Sequence, residues 1–239
     1  MGRLDLSGVR NEDVNALIAR ELEKDKTLTL TNVNSMHNVC AGLRGDFAVT
    51  VEDSTGLYTA SYMDGPCVTV KGNAGWYAGD DMVSGSLVIE KNTGCNIGAY
   101  ICGGDIVVRG GTGSRVGYGM KGGNIIICGD AGRWAGQLAM GGNLIILGAA
   151  DGAAGESMYG GVVFTADGDI EEKLGSNVYV DGITADEKTE LAALFEKYAI
   201  DFDAAKLSAI RPKLVGRDDY RIFEPVLEPL GAKKYAARA

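Results

Sequence analysis

The chain has 239 residues, 46% hydrophobic and 23% charged, enough to bury one large core or two small ones. Its 23 Lys+Arg against 32 Asp+Glu leave a net charge of −9, which argues against electrostatic nucleic-acid binding, and no apolar run reaches the ~20 residues that cross a bilayer. Met1-Gly2-Arg3-Leu4-Asp5 lacks the charged-then-apolar pattern of an export signal, and five cysteines without a CxxC pair fit a reducing cytoplasm better than a disulfide scaffold.

At the start, Asn11 is placed to cap a helix running to Lys24, with Val14, Leu17, Ile18 and Leu22 on one face. Thr27 to Val33 then alternates like a strand. Residues 1–40 are therefore read as a helix/strand cap over one end of the segment that follows.

That segment, residues 41–170, is built on a repeat. Glycine supplies 36 residues of the chain, and 28 of them fall between Gly45 and Gly161. Interior glycine weakens regular structure by roughly 0.5–1 kcal/mol, so this density needs a geometric cause. A period of 19 provides it: Val49, Val68, Leu87, Ile106, Ile125, Leu144 and Val163 form one column. Val51, Val70, Ile89, Val108, Ile127, Ile146 and Thr165 form another, two residues on. Glycine columns run through Gly56, Gly75, Gly94, Gly113 and Gly132, and through Gly79, Gly98, Gly117, Gly136 and Gly155. Met63, Met82, Ile101, Met120, Ala139 and Met158 make a further apolar column.

Alternation within each unit, as in Asp105-Ile106-Val107-Val108, has the period of a strand. Stacking each short strand on its counterpart gives an all-β solenoid, a parallel β-helix of about seven turns, with like residues ~4.8 Å apart. The two aliphatic columns fill its interior, and the glycines supply corners of positive φ or close backbone approach.

Residues 171–239 break the repeat. Thr184-Ala185-Asp186-Glu187 is a capping box opening a helix with Leu191, Leu194, Phe195 and Tyr198. A shorter helical stretch is expected from Asp203 to Ile210. The remainder, with Pro212, Pro225, Pro229, Ile222, Phe223, Val226 and Leu227, reads as an extended arm on this chain or onto a partner.

Chemistry-bearing motifs are sparse. Gly117-Tyr118-Gly119-Met120-Lys121-Gly122 spells GxGxxG, but a strand follows where a dinucleotide site needs a helix, so these read as corner glycines. His37 is the only histidine and reads as a polar end-cap residue; Cys40, Cys67, Cys95, Cys102 and Cys128 read as buried small hydrophobes. Asp80-Asp81, Asp130, Asp151, Glu156, Asp167 and Asp169 lack the nine-residue recurrence of a calcium-binding solenoid. Arg115 and Trp134, one repeat apart, point outward, either as a contact patch or as incidental surface. No catalytic, cofactor-binding or metal-ligating residue is assigned.

Gly72-Asn73-Ala74-Gly75 with Gly79, Met82 and Gly85-Ser86-Leu87-Val88-Ile89 resembles the GXGXG repeats of the glutamate synthase large subunit. So does Gly110-Gly111-Thr112-Gly113 with Gly117, Met120 and Gly122-Gly123-Asn124-Ile125-Ile126-Ile127. The resemblance covers residues about 40–165 and implies a right-handed β-helix without catalytic residues. In that family the domain buttresses a glutamine-hydrolysing domain against a flavin and iron–sulfur domain. Met1-Gly2-Arg3 is not the amino-terminal nucleophilic cysteine of the amidotransferase domain, and the clustered cysteines of the synthase domain are missing too.

The length, and Asp5-Leu6-Ser7 with Asn11, Val14 and Asn15, resemble stand-alone subunits of archaeal-type glutamate synthase and N-methylglutamate synthase. The resemblance implies two partners: a class II glutamine amidotransferase-like chain, and a synthase-like chain carrying FMN and an iron–sulfur cluster. The subunit of formylmethanofuran dehydrogenase that carries the same repeat is the second reading, and a free-standing binding solenoid the third.

Overall fold

Four-residue runs that alternate inward and outward, repeated every 19 residues, can satisfy their backbone only by pairing with the preceding run. A computed structural model, which describes residues 2–213, has this arrangement. The chain runs β1 (Gly2–Asp5), a 3-10 turn at Asn11–Asp13, α1 (Val14–Leu22) and β2 (Thr27–Thr31). The repeat contributes β3 (Ala48–Val51), β4 (Cys67–Val70), β5 (Ser86–Ile89), β6 (Asp105–Val108), β7 (Asn124–Ile127), β8 (Met140–Ile146) and β9 (Gly160–Thr165). After a 3-10 turn at Ile170–Lys173 come β10 (Val178–Gly182), α2 (Ala185–Lys197), a 3-10 turn at Ala204–Lys206 and β11 (Ser208–Pro212). Among the described residues the 11 strands form one sheet in the order β1 to β9, then β11 and β10.

The fold is a β-solenoid of about seven turns, and its register is the sequence period. Val49 pairs with Val68, Val68 with Leu87, Leu87 with Ile106, Ile106 with Ile125, Ile125 with Leu144 and Leu144 with Val163, all in parallel. Both aliphatic columns and the Met63–Met158 column are buried, including Thr165 at the end of the second. At roughly 1.5–3 kcal/mol per buried aliphatic side chain, these columns are the main favourable term holding the coils together.

The end of the stack at β1 and β2 continues the ladder, since β1 pairs with β2 and β2 with β3 in parallel. α1 lays Val14, Ile18 and Leu22 on the same core. Asn11 does not cap this helix: its Oδ1 accepts from the His37 N–H at 2.8 Å, and a 3-10 turn precedes α1, which ends at Leu22 rather than Lys24. Beyond Thr31, Asn32 takes φ 59° and ends the strand short of Val33.

At the opposite end the Asp203–Ile210 stretch departs from its helical expectation. Asp203 accepts from the Ala205 N–H at 2.9 Å and caps a single 3-10 turn. Ser208 onward then pairs antiparallel with β9 on one side and β10 on the other. The open edge of the last coil offers these residues more backbone hydrogen bonds than a short isolated helix would. The capping box on α2 is formed as expected, with Glu187 N donating to Thr184 Oγ1 at 3.2 Å and Thr184 N to Glu187 Oε2 at 2.8 Å. The stretch expected as an extended arm, from residue 214 on, lies outside the described residues.

Candidate functional site

The sheet points Ala48, Cys67, Ser86, Asp105, Asn124 and Asn143 outward, and two residues on Val88, Val107, Ile126, Ile145 and Phe164. That second set is apolar, so it needs a cover. α2, the turn after it and β11 supply one: Leu191, Phe195, Ala204, Leu207 and Ala209 join Val107, Ile126, Ile145 and Phe164 in a second buried cluster. α2 therefore lies along the flank of the solenoid, and much of the outer sheet face is closed to partners.

A polar ladder fastens this cover. Asn143 Nδ2 donates to Asn124 Oδ1 at 2.9 Å, and Asn124 Nδ2 to Asp105 Oδ1 at 2.8 Å. Lys197 Nζ and Tyr198 Oη both donate to Asp105 Oδ2, at 2.6 and 2.7 Å. Burial alone pushes the Asp105 carboxyl up; the bonds from Asn124, Lys197 and Tyr198 outweigh it and hold the group below its usual value. Burial and then Asp105 push the Tyr198 hydroxyl up to about 12. A groove of approximately 490 Å³ opens between α2 and the sheet, lined by Asn124, Asn143, Phe164, Glu187, Leu191 and Lys197. Lys197 in it is paired with Asp105, and Glu187 with Arg211 Nη2 at 2.9 Å.

The opposite character appears at the corner preceding each strand. There the chain takes left-handed φ at alternate positions: Tyr58, Ala60 and Tyr62; Tyr77, Gly79 and Asp81; Asn96, Gly98 and Tyr100. Arg115, Gly117 and Gly119 follow, then Trp134, Gly136 and Leu138. The central position faces the core and is glycine from the second of these coils onward; of the outer positions, Tyr58, Tyr62, Tyr77, Tyr100, Arg115 and Trp134 carry large side chains. Tyr58 and Tyr77 stack at 5.0 Å, and Tyr100 meets Tyr118 edge-on at 5.3 Å. Of the seven large hydrophobic side chains exposed among the described residues, Tyr58, Tyr62, Trp76, Val83 and Tyr100 belong to this stretch. Trp, Tyr and Arg concentrate at the energetic centres of protein interfaces, so this corner is the candidate site, and its chemistry suits docking.

His37, the corner glycines, Arg115, Trp134 and the cysteines each have a definite place. His37 Nδ1 accepts from the Leu57 N–H at 2.9 Å and so joins the cap to the first coil. Gly117 and Gly119 have φ 66° and 60° at the corner, and β7 rather than a helix follows. Arg115 lies over the Trp134 ring at 4.4 Å and Arg133 at 5.0 Å, so the pair belongs to the same corner. The cysteines correct the buried reading: Cys40 is buried, but Cys67 and Cys102 are exposed and Cys95 and Cys128 half-buried. Cys67 opens β4 at an outward register position, which its apolar character does not announce. Among the described residues no three His, Cys, Asp or Glu side chains converge as a metal site would require, and no helix is long and apolar enough to cross a membrane.

Sequence reasoning missed two features. The Val88–Phe164 column is visible as a third aliphatic row, and a third row on a four-residue strand means the outer face is covered. Asp80 reads in the sequence as one scattered acid, although it lies in the tyrosine-rich stretch from Tyr58 to Tyr100. No protein-family model matches the chain, and no curated protein matches it at a significant level.

Proposed function

We propose that this chain is a non-catalytic structural subunit of a cytoplasmic, glutamate synthase-like complex, of the glutamate synthase or N-methylglutamate synthase type. It would bridge a class II glutamine amidotransferase-like chain and a synthase chain carrying FMN and an iron–sulfur cluster. The observation that carries this reading is the solenoid itself. Its GXGXG-like repeats build a rigid ladder in which Asn73, Asn92, Asn124 and Asn143 tie neighbouring coils, while the exposed Tyr58, Tyr62, Trp76 and Tyr100 gather on one corner. A stack of rigid coils holds surfaces at fixed separation, which is what a bridge between two enzyme modules requires.

Isolation of the native complex tests the reading. Co-purification of an amidotransferase-like chain and a flavin-bearing iron–sulfur chain is the expected result, with no glutaminase or synthase turnover by this chain alone. Companions resembling a formyltransferase or a metal-dependent amidohydrolase would replace the reading with the formylmethanofuran dehydrogenase type. A monodisperse chain without companions would leave a free-standing binding solenoid.

A further inference from the structure

Tyr62, Asp81 and Tyr100 stand one above another on successive turns, tied by Tyr62 N donating to Asp80 O and Asp81 N to Ala99 O, both at 2.8 Å. Between the two tyrosine levels sits the side chain of Asp80, only 8% exposed. Within the described residues its carboxylate accepts no hydrogen bond; the hydroxyl one turn below, Ser61 Oγ, donates instead to Tyr77 O at 3.1 Å. The cation on this part of the corner, Lys121, lies over the Tyr100 ring at 5.6 Å rather than on Asp80.

Burial, and then the Asp81 charge, push the Asp80 carboxyl up to about 6. The same two carboxylates add to the burial and the Tyr118 hydroxyl that raise Tyr100. A carboxylate held largely out of water beside a second one is costly in the isolated chain, and no side chain among the described residues pairs with Asp80. A cation from outside would.

The rim decides which cation. Tyr62, 57% exposed, and Tyr100 occupy the positions one coil either side of Asp81. A planar guanidinium can stack on a ring while donating two hydrogen bonds to carboxylate, which a compact ammonium does not match. Trp76, 54% exposed, and the stacked Tyr58 and Tyr77 add further aromatic surface to the same corner.

We propose that the Asp80–Asp81 corner receives an arginine side chain presented by a partner protein, with both carboxylates accepting from the guanidinium and Tyr62 and Tyr100 flanking it. The inference rests on the reading of the chain as a scaffold, but not on which complex it serves.

Benzoylphenylalanine in place of Tyr62, in the full chain expressed in its native cells, tests it by photo-cross-linking, with Lys188 on α2 as the control position. The expected product is a partner segment bearing arginine within a few residues of the cross-link, its yield cut at least fivefold by Asp80→Asn. The isolated Asp80→Asn chain should melt above the wild type at pH 8 and converge with it below pH 4, because the substitution removes a charge the fold disfavours. A cross-linked segment with lysine or no arginine overturns the proposal. So does a yield that Asp80→Asn leaves unchanged, a yield no higher than at Lys188, or an Asp80→Asn chain that melts below the wild type. If both expected companions co-purify while the cross-link fails, this inference falls alone. If an arginine segment is captured from some other protein, the assignment to a glutamate synthase-like complex falls and this inference stands.

Discussion

Lys197 reaches from the end of α2 to Asp105 on β6, with 2.6 Å between Nζ and Oδ2 across 92 residues of chain. Asp105 is buried and accepts in addition from Asn124 and Tyr198, so one carboxylate ties the cover to the solenoid. Asp105→Ala should lower stability to urea by about 2–3 kcal/mol, since hydrogen bonds to charged groups are worth about 1.5–3 kcal/mol and the exposed Lys197 is discounted. The folded carboxyl titrates below its ordinary 3.8, so the stabilisation is complete above that value and disappears as pH falls through the lower folded one. The gap between wild type and variant should therefore close in acid. A gap that persists unchanged below pH 3 would mean that the variant loses packing rather than the charge-assisted bonds.

Ile125 is fully buried, stacked between Ile106 and Leu144. Ile125→Asp places an unpaired carboxylate in that column, at a cost of about 4 kcal/mol or more, and should abolish cooperative thermal melting. Thr69→Asp faces outward from β4 and should change stability by about 0.5 kcal/mol or less. Equal damage from the two substitutions would contradict the inward and outward assignment.

The solenoid could be read from the sequence because one residue period fixes both the hydrogen-bonding register and the buried columns. Once Val68, Leu87 and Ile106 recur 19 apart, stacking leaves them a single address. The path of Ser208–Pro212 could not be read that way, because what makes it a strand is the open edge of β9, which is distant in sequence. Asn11 escapes a local reading for a similar reason: its oxygen serves the His37 N–H, a contact that exists only after the first coil closes. Likewise the acids at Asp80 and Asp130 stand at different positions of the repeat, and what the coils above and below place beside each one decides its partners. Asp130 Oδ1 accepts from Ala149 N at 2.8 Å, whereas Asp80 accepts from no donor among the described residues.

Glycine at position 85 is required twice over. Its φ is +91°, and an added Cβ would lie 2.1 Å from the Pro66 carbonyl oxygen one coil below. Neither the strain nor the clash can relax without separating two paired coils. Gly85→Ala should cost about 2 kcal/mol or more, well above the penalty for left-handed φ alone. Gly8→Ala, at φ +73° with nothing within 4 Å of its Cβ, isolates that backbone penalty and should cost about 1–2 kcal/mol. Similar losses in guanidinium melts of both variants would show that coil contact at Gly85 is looser than 2.1 Å implies.

The cysteines offer a test that needs no variant. Cys40 is buried, and burial pushes its thiol up to about 12, so almost no thiolate forms at pH 8 and reagent cannot reach it. Cys67 and Cys102 are exposed, on the outward side of β4 and at the corner before β6. Cys128 is half-buried and raised by burial, an effect that Arg109 partly opposes. Iodoacetamide at pH 8 should therefore alkylate Cys67 and Cys102 in the native chain, Cys128 more slowly, and Cys40 only with denaturant. Cys40 follows His37 where the cap meets the first coil, so its slow native labelling would measure how often that junction opens. Labelling of Cys40 at the rate of Cys67 would mean that the cap does not close the core, and the docking of α1 on the first coil would have to be abandoned.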